Sequence, residues 1–240
     1  MKIALIGYGK MGKEIEKQAL SRGHQIVLKL NKDDIQNLPE QELSKAEIAI
    51  EFTSPEAAIS NIKKCFHAGI PVVTGTTGWY HEFERIKEQC LEMNGALFHA
   101  TNFSVGVNLF FKFNEMLAEL MYTYKEYKVT MEEAHHLQKK DAPSGTAITL
   151  ANGILNHYSN LHGYTIDLDH DHQYEKLPIK VVREGEVTGT HIVKYQSKTD
   201  EITLSHKAFN RQGFALGAVI AAEFLLHKKG IYTMSDLLKL

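Results

Sequence analysis

Through the first third of the chain, short apolar runs alternate with amphipathic stretches: Ile3 to Ile6 then Met11 to Ala19, Ile26 to Leu30, Ile48 to Phe52 then Ala57 to Phe66, Val72–Val73 then Phe83 to Leu91, and Ala96 to Phe98. Parallel strands cannot be joined by a tight hairpin and need a crossover, usually a helix. This rhythm therefore confines the region to α/β architecture, a doubly wound parallel sheet with helices on both faces. Pro71, just before Val72, suits the first position of a strand, where no ladder donor is lost. Residues 31–45 are polar and contain Pro39, which favours an irregular connection over a full helix.

The rhythm changes near residue 105. Val107, Phe110, Phe111, Phe113, Met116, Leu117 and Leu120 recur at helical spacing, predicting a long amphipathic helix from Val105 to Met121 that bridges to a second domain. Beyond it, Tyr127, Val129 and Met131 alternate with polar neighbours. Ile179 to Val182, Val187 to Tyr195 and Ile202 to Ser205 also read as strands, without regular intervening helices. The later part is thus expected to be an α+β second domain with a mainly exposed mixed sheet. A last amphipathic helix, Phe214 to Leu226, returns to pack on the first domain. The expected boundaries are 1–104 with 211–240 for a dinucleotide-binding domain, and 105–210 for a substrate-binding and oligomerisation domain.

Composition excludes several classes of function. With 240 residues, 43% of them hydrophobic, the chain can bury a substantial core. Lys plus Arg number 27 against 29 Asp plus Glu, so no electrostatic case exists for nucleic acid or an anionic membrane as a general partner. No apolar run approaches the roughly 20 residues that span a bilayer, and the opening strand turns into a glycine loop too early for a signal segment, so the expected compartment is the cytoplasm. Cys65 and Cys90 lie in helix-like stretches and read as structural thiols. Among 13 histidines the densest group is Asp167-Leu168-Asp169-His170-Asp171-His172, which reads as a solvated loop rather than a metal site; no metal is expected. The polar, histidine-rich stretch from His157 to Gln173 carries no functional reading.

Gly7-Tyr8-Gly9-Lys10-Met11-Gly12 follows the opening strand directly and leads into a helix, the context that makes G-x-G-x-x-G a dinucleotide signature of a Rossmann-type sheet. Gly7 permits the tight turn, Gly9 lets backbone N–H groups approach a pyrophosphate, and Gly12 lets helix and strand pack closely. NAD-selective sites place an acid at the end of the second strand; here the sequence is Lys29-Leu30-Asn31-Lys32. Asn31 does not repel a 2′-phosphate and Lys32 offers a cation, so NADPH is the expected cofactor, with NADH tolerated. The plainer reading of Lys32 is a solvated loop residue. Phe52-Thr53-Ser54-Pro55 and Gly75-Thr76-Thr77-Gly78 follow later strands, where they serve either close approach to a cofactor or ordinary turn chemistry. Ala100-Thr101-Asn102-Phe103-Ser104 follows the next strand and is placed to close the nicotinamide end.

In the second domain, His135 and His136 follow a strand, then come Lys139, Lys140 and a turn containing Pro143, with Ser144 placed to cap a helix beginning near Gly145. Imidazole, ammonium and helix-terminal donors together suit an anionic substrate that is protonated as it accepts hydride. A lone histidine is more often structural; two adjacent ones in a polar loop before Lys139 weigh toward function. Lys140 reads as the solvated partner of Asp141.

The run Glu133-Ala134-His135-His136, Lys139 and Asp141-Ala142-Pro143-Ser144-Gly145-Thr146-Ala147 resembles the signature of the 4-hydroxy-tetrahydrodipicolinate (dihydrodipicolinate) reductase family of bacterial lysine biosynthesis. Gly7 to Gly12, Gly75 to Gly78, Asn102 to Val107, Arg183-Glu184-Gly185, Gly189-Thr190-His191 and Ser205-His206-Lys207-Ala208 occur in the family's order, so the resemblance covers nearly the whole chain. It implies reduction of a cyclic imine dicarboxylate to tetrahydrodipicolinate, with water lost. His135 would give or take a proton, Lys139 would be a second proton donor, and His136, Gly145 and Thr146 would bind substrate carboxylate. Gly7, Tyr8, Gly9, Lys10, Met11, Gly12, Lys32, Gly75, Thr76, Thr77, Ala100, Thr101, Asn102 and Phe103 are the cofactor-side candidates. The resemblance also implies a homotetramer assembled through the second domain's sheet. Asn31 departs from the family's common acid, which bears on NADH preference and not on the reaction.

Two other readings stand beside this one. A two-domain dehydrogenase acting on amino acids or semialdehydes would, in its semialdehyde form, need a reactive thiol. A non-catalytic redox sensor would bind a dinucleotide without needing His135 and Lys139 together.

Overall fold

The computed structural model describes residues 1–31, 40–168 and 175–240. In chain order the elements are β1 (Lys2–Ile6), α1 (Lys10–Ser21), β2 (Gln25–Leu30), α2 (Glu40–Leu43), β3 (Ile48–Glu51), α3 (Pro55–His67), β4 (Val72–Thr74), α4 (Phe83–Glu92), β5 (Ala96–His99), α5 (Val105–Met121), β6 (Lys128–His135), α6 (Gly145–Leu155), β7 (Tyr164–Thr165), β8 (Leu177–Arg183), β9 (Gly189–Gln196), β10 (Glu201–Ala208), α7 (Gln212–Leu225), β11 (Gly230–Tyr232) and α8 (Met234–Leu238). They fall into two compact units, Met1–Val105 with Arg211–Leu240, and Gly106–Asn210. Among the described residues no helix is long and apolar enough to cross a membrane.

The first unit is built on a six-stranded parallel sheet in the order β11-β5-β4-β3-β1-β2. Because strand side chains alternate, each apolar run feeds two cores at once. Ile3, Leu5, Ile48, Ile50, Val73 and Phe98 join Ile15 and Ala19 of α1 and Ala218, Val219 and Ala222 of α7 on one face. Ala4, Ile6, Ala49, Val72 and Leu97 join Ile62 and Cys65 of α3 and Ile86 and Cys90 of α4 on the other. The strand order reverses between β1 and β3, so a crevice forms outside the carboxyl ends of those two strands, where open α/β sheets hold ligands.

Two parts of this unit depart from the sequence expectation. The last helix spans Gln212–Leu225, beginning before the expected Phe214, and is buried nearly all round through Ala215, Gly217, Ala218, Val219, Ala221, Ala222 and Leu225 rather than amphipathic. It lies on α1 and on β3, β4 and β5. β11 was not expected: a three-residue strand in Lys228-Lys229-Gly230-Ile231-Tyr232 has too little apolar pattern to register, yet it pairs with β5.

The second unit is a mixed sheet, β10-β9-β6-β8-β7, in which β9 runs antiparallel to β6 and β10 while β8 runs parallel to β6 and β7. α6 lies in the crossover between β6 and β8, a helix the strand-rich reading of this region understated. One sheet face carries Val129, Met131, Ile179, Val193 and Tyr195 into a core with Phe110, Ala118, Leu150 and Ile154. The residues between them on β6 and β9 are half-buried or exposed. β9 begins at Gly189 rather than Val187, which lies in the turn after β8.

α5 has the expected bounds but not the expected face. Val107, Phe110, Asn114, Ala118 and Met121 are buried, whereas Phe113, Met116 and Leu120 are exposed. The helix is apolar on more than one side, so periodicity did not single out the core face. Asn114 is tolerated inside because its Nδ2 donates to the Leu150 carbonyl at 2.9 Å.

A Cβ at Gly217 would sit 1.8 Å from the Phe103 carbonyl oxygen, while one at Gly213 on the same helix would meet only the Ser104 hydroxyl, at 3.8 Å. Gly217→Ala is therefore expected to cost about 3 kcal/mol or more by forcing helix and backbone apart. Gly213→Ala should leave stability within about 1 kcal/mol of the parent. Urea unfolding of the two variants side by side checks this; equal midpoints would contradict it.

Candidate active site

The glycine loop after β1 is shaped by close contacts that only glycine allows. Gly7 has φ +98°, and a Cβ there would lie 2.0 Å from the Phe52 carbonyl oxygen; a Cβ on Gly12 would lie 2.4 Å from the Gly7 carbonyl. Gly7 and Tyr8 N–H groups donate to the Leu30 carbonyl at 3.0 and 2.9 Å, tying the loop to the end of β2. Gly9 differs, since a Cβ there would meet nothing within 4 Å. It is the N-cap of α1, which has no side-chain cap and no acid in its first turn. Open space over unopposed helix-terminal donors fits the pyrophosphate of a dinucleotide. Lys10 and Met11 open the helix. Tyr8 is anchored: its hydroxyl donates to Glu16, whose carboxylate holds Lys29 at 2.5 Å, and Lys29 Nζ lies 4.9 Å from the Tyr8 ring centroid.

The other cofactor-side candidates divide into exposed and structural. Gly75 makes room for the Phe52 ring, which a Cβ would meet at 2.2 Å. Thr76 is buried; its hydroxyl donates to Glu51 at 3.0 Å and accepts from Thr53 N–H at 2.8 Å, and its carbonyl accepts from Trp79 Nε1 at 2.8 Å. Thr77 and Thr101 are exposed. Ala100 and Phe103 belong to the core, with the Phe103 ring 5.6 Å from Phe52 and 5.8 Å from Phe98. The side chains of Thr76 and Phe103 are thus held in the fold, which leaves their backbone groups as what they could offer a ligand. Asn102 Oδ1 accepts from Ser104 N–H at 2.9 Å. Lys32 lies outside the described residues, as do Asp169, His170, Asp171 and His172 of the acidic-histidine run. Buried Glu51, missed in the sequence, accepts from the hydroxyls of Thr53, Thr74 and Thr76 and so links the loops after β3 and β4. Burial pushes its carboxyl above the usual range, while those hydrogen bonds pull it back.

In the second unit the inward row of β6 runs Val129, Met131, Glu133, His135, apolar core grading into a polar cluster. His135 is the last residue of the strand and is buried, so it does not sit in a polar loop. Sheet register brings two further groups to it: His191 of β9 opposite Glu133, and Arg183 of β8 beside His135. Arg183 Nη2 donates to Glu133 Oε1 at 2.9 Å and to the Asp141 carbonyl at 2.7 Å. Ser144 N–H donates to both Glu133 oxygens, at 3.2 and 3.0 Å. Glu133 Oε2 then lies 3.6 Å from His135 Nδ1 and 3.7 Å from His191 Nε2. Gly189 leaves room for the His135 ring, since a Cβ there would stand 3.1 Å from His135 Nε2. Glu133, His135 and His191 bring ligand-type atoms within 4.8 Å of one another. Both Glu133 oxygens already accept hydrogen bonds, and the Arg183 cation sits on one of them, which suits an acid–base cluster better than a cation.

Ser144 caps α6, its Oγ accepting from Ala147 N–H at 3.2 Å while lying 3.1 Å from His191 Nε2. Gly145 at the helix start is exposed and would carry a Cβ without contact, and Thr146 is half-buried. Lys139 Nζ holds both oxygens of Asp141 at 2.8 Å, so Lys139, not Lys140, is the partner of Asp141. His136, next to His135 in sequence, is half-buried. Glu133, Arg183 and His191 were legible only in part: Glu133 stands two residues before His135, the strand spacing that shares a face.

Charge follows from this packing. Burial, with Lys139 and Arg183 nearby, lowers the His135 pKa below the imidazole range against the pull of Glu133 and Asp141. Burial and the neighbouring His135 press His191 down to about 4. Burial works to raise Glu133, but hydrogen bonds from Ser144 and Arg183 prevail and hold it below the usual carboxylate range. The thiols are inert by comparison: Cys65 and Cys90 are buried on α3 and α4, and burial raises both, Cys90 to about 11.

A parallel sheet with a glycine loop at its switch point, joined in one chain to a sheet ending in a buried imidazole cluster, defines a two-domain nicotinamide-dependent oxidoreductase. Residues 1–103 match the family model for the dihydrodipicolinate reductase N-terminus, and residues 106–238 the model for its C-terminus. The chain belongs to the dihydrodipicolinate reductase family. It is 49% identical over 238 residues to a 4-hydroxy-tetrahydrodipicolinate reductase of Christiangramia forsetii, covering 99% of this chain and 98% of that one. It is 32% identical over 262 residues to the enzyme of that name from Archaeoglobus fulgidus, covering 100% of each. Its fold is similar to that of a dipicolinate-bound dihydrodipicolinate reductase from Paenisporosarcina sp. TG-14, with a TM-score of 0.79 at 23% identity over 97% of each chain.

A depressed His191 means that the native state binds this proton less readily than the unfolded chain. Its contribution to stability is full above the ordinary value of 6.5 and is lost as pH falls toward about 4. Stability of the parent should therefore decline more steeply across that window than stability of His191→Gln, measured by urea unfolding at each pH. Parallel declines would contradict the assignment.

Proposed function

We propose that this chain reduces 4-hydroxy-tetrahydrodipicolinate to tetrahydrodipicolinate with loss of water, in the diaminopimelate route of lysine biosynthesis. The observation that carries the reading is the cluster at the end of β6, where a buried imidazole, a lysine and the start of α6 stand together. A bound dihydronicotinamide supplies hydride when present. The reaction then needs one proton, a group to help water leave, and donors for substrate carboxylate, the roles this reading gives to the segment.

In this reading His135 gives the proton and Lys139 is a second donor, released from Asp141 when an anionic substrate competes for it. Glu133 is a positioning residue: its carboxylate, 3.6 Å from His135 Nδ1, favours the protonated imidazole, whose Nε2–H is then the proton given to the substrate. The Gly145 and Thr146 N–H groups, with His136, take a carboxylate. Ser144 already meets the N–H groups of Ala147 and Ile148, leaving the first turn for ligand. Gly7, Gly9 and Gly12, with Lys10 and Met11, hold the pyrophosphate. The first unit is thus the dinucleotide-binding domain and the second the substrate-binding and oligomerisation domain. NADPH is the preferred cofactor and NADH a poorer one, because Asn31 rather than an acid follows β2. A cytoplasmic homotetramer assembled through the second unit's sheet completes the reading.

Consumption of NADPH on addition of freshly generated 4-hydroxy-tetrahydrodipicolinate tests the reaction; no turnover with either nicotinamide would overturn it. His135→Gln and Lys139→Ala should each lower kcat by about two orders of magnitude while dinucleotide affinity is unchanged. Loss of dinucleotide affinity in step with turnover would mean the residues are misassigned. In steady-state assays kcat/KM should be higher with NADPH, and a preference for NADH of about tenfold would contradict the Asn31 argument.

A further inference from the structure

Glu51, the last residue of β3, is fully buried at the carboxyl end of the parallel sheet, and the acid–base chemistry of the second unit does not use it. Three loops are tied together here. Its own strand continues into Phe52-Thr53, and Thr74, its register partner on β4, leads into Gly75-Thr76-Thr77. The glycine loop after β1 rests on the first of these, since Phe52 N–H donates to the Ile6 carbonyl at 2.8 Å and a Cβ on Gly7 would lie 2.9 Å from Thr53 Cγ2. Thr53 N–H in turn donates to Thr76 Oγ1 at 2.8 Å.

The placement of hydrogens fixes the charge state that this network suits. Thr76 Oγ1 accepts from Thr53 N–H and donates its one hydrogen to Glu51 Oε1 at 3.0 Å. Thr53 Oγ1 accepts from Asn61 Nδ2 at 3.3 Å and donates its hydrogen to the same carboxylate oxygen, while Thr74 Oγ1 donates to Oε2. Three hydroxyls therefore turn their only hydrogens toward one carboxylate, which accepts at both oxygens. Asn61, buried on α3, presents Nδ2 to the network and leaves Oδ1 without a partner, the orientation that favours an anion. A protonated Glu51 would bring a further hydrogen that no group can accept unless a threonine hydroxyl turns away.

Dipoles rather than a cation hold this charge. The largest influences on Glu51 are burial and the hydrogen bonds from these hydroxyls and Asn61, with no cation among them. Ile6 of β1 and Thr74 of β4 flank it in register, and α3 presents Asn61 and the Cys65 thiol, which burial and the Glu51 charge push up and keep neutral. Burial also moves the Glu51 carboxyl above the usual range, so it takes up a proton at a higher pH than an exposed acid would. The three loops lie where open α/β sheets hold ligands, and each is thus fixed by a network that loses its order when one proton is added.

We propose that ionised Glu51 is a positioning residue for the dinucleotide: it holds the three loops in their binding arrangement, and its protonation frees the hydroxyls and weakens binding. This rests on reading the first unit as the dinucleotide-binding domain. The pyrophosphate is itself anionic and by plain repulsion would favour a protonated Glu51, so the sign of the pH dependence separates positioning from charge repulsion. NADH is the probe, because the 2′-phosphate of NADPH titrates in the same range. Its dissociation constant, read by fluorescence on the full chain, should rise about threefold or more from pH 8 to pH 5 in the parent. In Glu51→Gln, which does not ionise, binding should be about threefold weaker at pH 8 and nearly level with pH. In Thr74→Val, which keeps the shape and removes one donor, the rise should begin about half a pH unit or more higher. Circular dichroism at each pH checks the fold, and Thr74→Val alone decides if Glu51→Gln does not fold. A parental constant that is level or falls toward pH 5, an equal rise in folded Glu51→Gln, or an unshifted rise in Thr74→Val overturns the proposal and leaves the dinucleotide reading in place. Absence of saturable NADH binding by the parent at pH 8 overturns both.

Discussion

A single buried carboxylate organises the second unit. Glu133 is 1% exposed and accepts from Ser144 N–H and Arg183 while standing beside His135 and His191. An unpaired carboxylate at such a position would cost several kcal/mol, so β6, β8, β9 and the start of α6 are held to whatever geometry keeps it satisfied. That geometry places an imidazole at the strand end and keeps Arg183 as the fixed counter-charge. The polar site is thereby an extension of the apolar core along one strand face, with Met131 and Glu133 as neighbouring inward positions.

The first unit relies on steric constraint instead of charge. The Phe52 carbonyl presses on Gly7 and its ring on Gly75, so two glycines far apart in sequence serve one aromatic residue. Within the loop after β1, Gly9 is open where Gly7 and Gly12 are closely packed. Beneath them Glu51 links the loops after β3 and β4 through threonine hydroxyls, repeating in milder form the device seen at Glu133.

Much of this was legible in the sequence because it rests on local pattern. The βα rhythm predicted the parallel sheet, and the Ser144 cap and the bounds of α5 followed from helix periodicity and capping chemistry. What was missed depends on partners distant in sequence. His191 and Arg183 reach Glu133 only through strand register, the pairing of Lys139 with Asp141 depends on the turn around Pro143, and Gly217 matters because α7 meets the backbone of Phe103. β11 has too few residues for any period to be read, and the buried face of α5 was ambiguous because Phe113, Met116 and Leu120 form a second apolar stripe that the core does not use.

Replacement of Glu133 by glutamine tests the organising role of this carboxylate most directly. Glu133 is among the groups that raise the His135 pKa against burial, so loss of its charge should move the His135 titration, followed by NMR, to lower pH. If His135 is the proton donor proposed, a limb of the pH–rate profile should move with it while the sheet signal in circular dichroism is retained. A His135 titration and pH–rate limb unchanged from the parent in a folded Glu133→Gln protein would contradict the placement of Glu133 at the centre of the site.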